Sequence, residues 1–222
     1  MGKLIVFEGI DGSGKSTQFK LMCDRLNNEG KHFKRLVFPR YDEPSSALIK
    51  MYLAGDFGTE PDSVNAYAAS SFYAVDRYAS FVQDWREHYI GGGLILTDRY
   101  TTSNALHQGA KIIANKRENF FKWLYKYEFS LIGLPAPDLV IYMNIEPEFA
   151  AKRLLRRQAE TETSPDIHEN SMTYLKSCAE SGDLAATLLG WHKINCMENE
   201  AERNINEIHT EIYNLILNLI ER

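Results

Sequence analysis

The chain has 222 residues, 44% of them hydrophobic and 25% charged, with a formal net charge of -5. That length can bury a substantial core in one domain, with or without a small lid, and the ordinary composition excludes a fibrous or disordered chain. The acidic total indicates no nucleic-acid partner, and no apolar run reaches the length of a membrane span.

Leu4-Ile5-Val6-Phe7 predicts a first strand, and "EGIDGSGKST", Glu8 to Thr17, follows it directly. The stretch fits G-x-x-x-x-G-K-[ST] through Gly9, Gly14, Lys15 and Ser16, between a strand and a helical pattern, which is the context a phosphate-binding loop requires. Gly12 and Gly14 let backbone N–H groups curl around phosphate oxygens with no Cβ in the way, and the helix N-terminus adds partial positive charge. The donor site therefore comprises Gly9, Ile10, Asp11, Gly12, Ser13, Gly14, Lys15, Ser16 and Thr17. Lys15 serves the β and γ phosphates, and the Ser16 hydroxyl serves Mg2+. The plain alternative is a glycine turn with an incidental lysine.

Phe19, Met22, Cys23 and Leu26 recur at helical spacing and Gly30 stops them, so a first helix is expected over about Ser16 to Asn28. "FKRLVFP", Phe33 to Pro39, reads as a second strand, with Arg40 just beyond it. A helix is then expected from about Val64 to Tyr89, its apolar face made of Val64, Ala68, Ser71, Val75, Tyr78, Ala79 and Val82. Tyr73 and Arg77 lie four apart and face away from that stripe, so the pair either meets water or lines a pocket. In a pocket, Tyr73 offers a stacking surface and Arg77 a fork of donors for a base carbonyl.

After "GGG", the run "LILTD" is a third strand ending on Asp98, at the sheet edge that carries the glycine loop. Asp98 there is either a Walker B aspartate serving Mg2+ or the N-cap of a following helix. Arg99 and Arg40 should converge on the same edge, where arginine can hold a second phosphate bidentately; either alone would be a surface charge. Local arginines can offset the acidic total because charges beyond a Debye length of roughly 8 Å are screened.

"DLVIYMNI", Asp138 to Ile145, is a fourth strand and a helix follows from about Pro147. Arg153, Arg156 and Arg157 in "KRLLRRQ" precede the most polar stretch, Gln158 to Ser171. They read either as a lid that carries arginines onto a transferring phosphoryl or as a basic helix end. "HKINC" is a short fifth strand, and Ile205, Ile208, Ile212, Leu215 and Leu219 mark a C-terminal helix. Near-continuous apolar strands alternating with helices indicate an α/β fold whose parallel sheet is covered on both faces, with ligands beyond the carboxyl ends of the strands.

Cys23, Cys178 and Cys196 are scattered, without metal spacing, and read as small core residues of a reducing compartment. The start "MGKLIVFEG" has no secretory h-region and cleavage site, so a cytoplasmic location is expected. "DFG" at Asp56 to Gly58 has no H-R-D or V-A-I-K beside it and is a chance turn. Asn115-Lys116-Arg117-Glu118 only approximates the N-K-x-D of GTPases and follows no apolar strand.

Beyond the loop, "FPR" at Phe38 to Arg40, "DRY" at Asp98 to Tyr100, "SNALHQG" at Ser103 to Gly109 and "GLPAPDLVIYM" from Gly133 resemble the thymidylate kinase family over nearly the whole chain. The resemblance implies a P-loop NTPase of three α/β/α layers with a five-stranded parallel sheet. It also implies one kinase domain over residues 1–222 with a mobile lid near 153–171, a homodimer, and transfer from Mg2+-ATP to dTMP. By motif position it implies that Asp11 accepts from the sugar 3'-OH and helps position Mg2+. It further implies that Arg40 and Arg99 grip the acceptor phosphate, Tyr73 stacks on thymine, Arg77 and Asn104 bond the base edge, Phe38 packs beside it, and Ser103 and Gln108 line the pocket. Some family members carry an arginine within the loop where this chain has Gly12. This chain resembles those that supply it from the lid, with Arg153 the most secure match and Arg156 and Arg157 its partners. It departs from the family at Ile167, where many members have Arg, and at His107, where Tyr or Phe is usual. Rival readings are another P-loop kinase for a nucleotide or deoxynucleoside, and an ATP-binding switch with no acceptor.

Overall fold

The computed structural model of the protein describes residues 1–161, 172–199 and 201–221. Its centre is β1 (Lys3–Glu8), in which Leu4, Ile5, Val6 and Phe7 are all fully buried. Four consecutive buried side chains point alternately to the two faces, so both faces must be covered. The chain leaves β1 through the glycine loop into α1 (Lys15–Asn28), whose N-cap, Gly14, is left-handed at φ 87°. Phe19, Met22, Cys23 and Leu26 form its buried face, and the Phe19 ring meets Phe7 edge-on at 5.4 Å.

β2 (Phe33–Val37) ends two residues earlier than its apolar run suggests. Phe38 N still donates to Asp98 O at 3.0 Å, but Pro39 has no N–H with which to continue the ladder. After α2 (Ala47–Leu53), Asn65 caps α3 (Ala66–Ser80) by accepting from Ala68 N at 2.9 Å, so Val64 lies outside the helix as extended chain. A π-helical turn over Phe81–Trp85 leads without a break into α4 (Arg86–Ile90), so the helix expected over Val64 to Tyr89 is present, with its start at Ala66 and a π-helical turn within it.

The amphipathic reading of α3 is inverted. Val75, Tyr78 and Val82 are 50%, 47% and 47% exposed, whereas Ala69, Ser70, Ala74, Arg77 and Ser80 are buried. The apolar stripe is therefore the outer face, and the smaller, more polar stripe faces the protein.

β3 (Leu94–Asp98) carries its last residue to the loop edge and is followed by α5 (Thr101–His107) and α6 (Arg117–Tyr125). α6 runs into a second π-helical turn, Lys126–Leu131, that carries the fully buried Glu128. β4 (Leu139–Asn144), α7 (Pro147–Thr161), α8 (Met172–Leu189) and β5 (His192–Asn195) complete the main sheet region. A small hairpin of β6 (Met197–Glu198) and β7 (Ala201–Glu202) leads to α9 (Ile205–Ile220).

The main sheet is five-stranded and parallel in the order β2-β3-β1-β4-β5. α1 lies on β1 and β3 with α9 against it, while α8 lies on β4 and holds α5 and α6. One contiguous core runs from the β1 side chains through Trp85, Tyr100 and Phe120 to Ile212 and Ile216. β1 and β3 deliver the glycine loop and Asp98 side by side, with Phe7 in register with Asp98.

Candidate active site

The glycine loop takes the conformation its residue types permit. Gly12 has φ 80°, and a Cβ there would lie 2.3 Å from Ala150 O at the start of α7. Lys15 and Ser16 converge on Asp98: Lys15 Nζ forms a very short ion pair with Oδ1, and Ser16 Oγ donates to Oδ2 at 2.8 Å. Burial lowers the Lys15 pKa, with Arg99 adding to the effect, while Asp98 and Glu8 oppose it. A cleft of about 510 Å³ runs from Ile10 through Thr17 past Val37, Met143 and Leu154 to Arg203 and Ile205. Arg153 and Arg156 line it too.

A second cleft of about 230 Å³ is lined by Phe38, Tyr73, Arg77, Ser103, Asn104 and Gln108, together with Asp11, Arg99 and His107. The Gln108 side chain is buried there with an Oε1 that has no partner among the described residues. Asp11, Phe38, Pro39, Tyr41 and Arg99 line both clefts, so the two spaces share one wall. Arg40 lines neither. Its backbone N and Nε donate to Asp76 at 2.9 and 3.2 Å, and its Nη2 donates to Ser45 Oγ at 2.9 Å.

Each arginine expected at the acceptor has an acidic partner that spacing could not reveal. Asp76 holds Arg40, with Ser45 Oγ donating to the same carboxylate at 2.6 Å. Glu128 receives Arg77 Nε at 2.7 Å and Nη2 at 2.6 Å, a buried bidentate pair. Arg99 sits in left-handed backbone at φ 70°, which is strained for a side chain of that size, and its Nη2 is very close to Asp11 Oδ1. Arg99 Nη1 lies 2.8 Å from His107 Nε2; a guanidinium has no acceptor, so that imidazole nitrogen accepts.

Burial opposes ionisation of Asp11, but Arg99, His107 and Lys15 outweigh it and hold the carboxyl well below the usual range. Glu8 behaves oppositely. Burial raises its pKa against Arg99 and Lys15, although it accepts from Gly9 N at 3.0 Å, Thr102 Oγ1 at 2.8 Å and Ser103 Oγ at 2.7 Å. Glu8 thereby ties the start of α5 to the loop, a role masked in the sequence by its place at the end of an apolar strand.

On the donor side, Arg153 donates from Nη1 to Gly12 O and Ser13 O at 3.4 and 3.1 Å, and from Nε and Nη2 to Glu202 at 3.2 and 3.0 Å. Arg156 lies exposed at the rim. The Arg157 side chain and residues 162–171, including Ile167, lie outside the described residues, and the helical backbone of α7 extends through Thr161, into the first part of the polar stretch read as a lid. Cys23, Cys178 and Cys196 are buried free thiols pushed up by burial to about 11, 12 and 11. Among the described residues no helix is long and apolar enough to cross a membrane.

Comparisons with known proteins identify the family to which this sequence and fold are similar. The family model for thymidylate kinase matches residues 7–212. Thymidylate kinase from Mycobacterium tuberculosis is 32% identical over 151 residues, covering 68% of this chain and 69% of that protein. The Schizosaccharomyces pombe enzyme is 27% identical over 221 residues, covering 98% of this chain and 93% of its own. The fold agrees with a solved thymidylate kinase from Candida albicans at TM-score 0.72 and 22% identity, over 97% of this chain and 91% of that one. With the thymidylate kinase family model matching residues 7–212, nearly its whole length, the chain belongs to the thymidylate kinase family.

Proposed function

We propose that the chain acts as one kinase unit that transfers the γ-phosphoryl of ATP to dTMP, giving ADP and dTDP. The observation that carries this reading is the wall of Asp11, Phe38 and Arg99 common to the two clefts. A triphosphate lying along the glycine loop would point its terminal group at a monophosphate lying beside Tyr73 and Arg77.

The backbone from Gly9 to Gly14 and the first turn of α1 through Thr17 would cradle the donor phosphates, with Lys15 exchanging part of its contact with Asp98 for the β and γ oxygens. Ser16 and Asp98 present hard oxygens close together, and Asp11 adds a carboxylate at the shared wall. This set suits Mg2+, which keeps several waters and takes few protein carboxylates. When bound, Mg2+ would neutralise charge on the β and γ phosphates.

Arg99 would grip the acceptor phosphate, Arg40 would join by leaving Asp76, and Asp11 would accept from the sugar 3'-OH. Tyr73 would stack on the base, Phe38 would pack at its side, and Ser103 and Gln108 would close the pocket. The acceptor phosphate is already anionic, so no general base is required. Positioning and charge stabilisation do the chemistry, with Lys15, Arg99, Arg153, Arg156 and Arg157 offsetting repulsion between two anions. We assign the lid to residues near 153–171.

The outer face of α3 and the π-helical turn after it, with Val75, Tyr78 and Val82 exposed, is the surface we assign to a second copy of the chain. Light scattering should give a dimer mass for the wild type and a monomer mass for Val75→Asp/Val82→Asp; a wild-type monomer refutes the assignment. Buried free thiols suit a reducing cytoplasm.

Coupled ADP release across dTMP, dUMP, dCMP, AMP and GMP tests the function. dTMP should lead. dUMP should be a poor substrate, since a methyl group contributes only about 1–3 kcal/mol, and the purines should fail by size. Preference for another nucleotide refutes the acceptor, and failure of every acceptor favours an ATP-binding switch.

A further inference from the structure

Glu128 touches neither cleft, yet its carboxylate is fully buried on a π-helical turn and takes bonds from both side chains assigned to the base edge. Arg77 reaches it through Nε and Nη2 at 2.7 and 2.6 Å, and Arg77 Nη1 donates to Tyr100 O at 3.3 Å. A guanidinium carries five N–H hydrogens, so these three bonds leave donors on the edge that lines the cleft. Thr101 Oγ1 donates to Glu128 Oε2 at 2.7 Å and fixes the carboxylate plane.

Asn104 completes the arrangement. Its Nδ2 lies 3.3 Å from Ser70 O and 3.4 Å from Glu128 Oε1. Both contacts are long, but their sign decides the amide orientation. A flip would set Oδ1 against a carboxylate and a carbonyl, two repulsive contacts at a residue only 2% exposed. The Asn104 Oδ1 acceptor is therefore the end left for a ligand.

We propose that Glu128 is the positioning residue that sets base selectivity, by fixing Arg77 as the donor and Asn104 Oδ1 as the acceptor along one edge of the cleft. This rests on the assignment of Arg77 and Asn104 to the base edge. A donor beside an acceptor matches a pyrimidine with a carbonyl at position 4 and an N3–H, as thymine and uracil have. It mismatches cytosine, which offers an amino donor and a bare N3. The buried carboxylate thus rejects cytosine without contacting it.

The test is Glu128→Gln, compared with wild type and Arg77→Met for kcat/KM on dTMP, dUMP and dCMP. A glutamine at this position keeps one acceptor and gains a donor, so it removes one of the two contacts that hold the Asn104 amide; only Ser70 O then opposes a turn of Nδ2 into the cleft toward cytosine N3. The dTMP:dCMP ratio should narrow by about tenfold to a hundredfold, the size of one buried mispaired polar group. The dTMP:dUMP ratio should hold within about twofold, because those two share the edge, and KM for ATP should also hold. Ratios taken within one preparation are independent of the fraction folded, so partial unfolding of the variant does not blur the result. If both ratios move together, the variant has merely loosened the cleft and the proposal falls. If Arg77→Met narrows the cytosine ratio and Glu128→Gln does not, Glu128 has no such role while the base-edge reading stands. If neither variant changes it, the base-edge reading itself fails, and this proposal with it.

Discussion

Arg77–Glu128 and Arg153–Glu202 are the same bidentate contact in two settings. The first pair is 2% and 0% exposed, and the second 23% and 48%. In the interior, neither ion has water to fall back on, so removing one partner strands a buried charge. At the donor rim, solvent and salt can replace either partner, and the pair holds an orientation at little energetic consequence. The proposed acceptor cleft is thus built on contacts that are expensive to open, and the rim of the glycine-loop cleft on one that can readily exchange partners.

Three experiments bear on this contrast. The largest expected effect is on turnover: Arg153→Ala should lower kcat by on the order of 10³ or more while KM for dTMP stays within about twofold. Unchanged turnover in a steady-state assay removes Arg153 from the mechanism and makes its loop contact a structural clip.

The next effect is on folding. Glu128→Ala should cost about 3–5 kcal/mol in denaturant unfolding, nearly the same at low and high salt, because the pair is shielded from counter-ions. A loss below about 1 kcal/mol would erase the distinction between the two pairs.

Glu202→Ala should cost no more than about 1 kcal/mol, and less in high salt. The Arg153 hydrogen bond, against slight burial, holds the Glu202 carboxyl below its ordinary 4.5. A depressed carboxylate contributes stability that is fully present above the unfolded value and disappears as pH falls through the folded one. The difference between wild type and Glu202→Ala should therefore shrink as pH falls below the ordinary 4.5 and vanish only once the depressed, folded-state carboxyl is itself protonated. A difference that persists there would show that the contribution is packing instead of charge.

The parts of the fold that could be read in advance are those where local pattern and final environment agree. The β1 run is buried on both faces and looks it; the glycine loop owes its shape to residues adjacent in sequence; Asp98 ends a strand that pairs with β1. α3 failed because periodicity identifies an apolar face without saying what covers it. Val75, Tyr78 and Val82 point outward, and the inner face is made of alanines and serines around one arginine. Both π-helical turns were invisible too, since an added residue in a turn leaves no mark in composition, and the second of them delivers Glu128.

The supporting carboxylates were missed for a different reason. Glu8, Asp76 and Glu128 meet partners 94, 36 and 51 residues away, and an isolated acidic residue in a chain with many reads as solvated. The arginines could be found by motif. What holds them could be found only once the chain was folded.

The close approach of Gly12 to Ala150 bears on how such enzymes can diverge. An arginine within the loop would need a side chain at the position Gly12 occupies, where the first turn of α7 leaves little space. A side chain at Gly12 would sit in left-handed backbone against the Ala150 carbonyl, so α7 would have to shift, carrying Arg153 with it. If Arg153 has its proposed role, backbone sterics separate it in this chain from an arginine within the loop, and a designer wishing to move the cation there must reshape α7 before touching the loop.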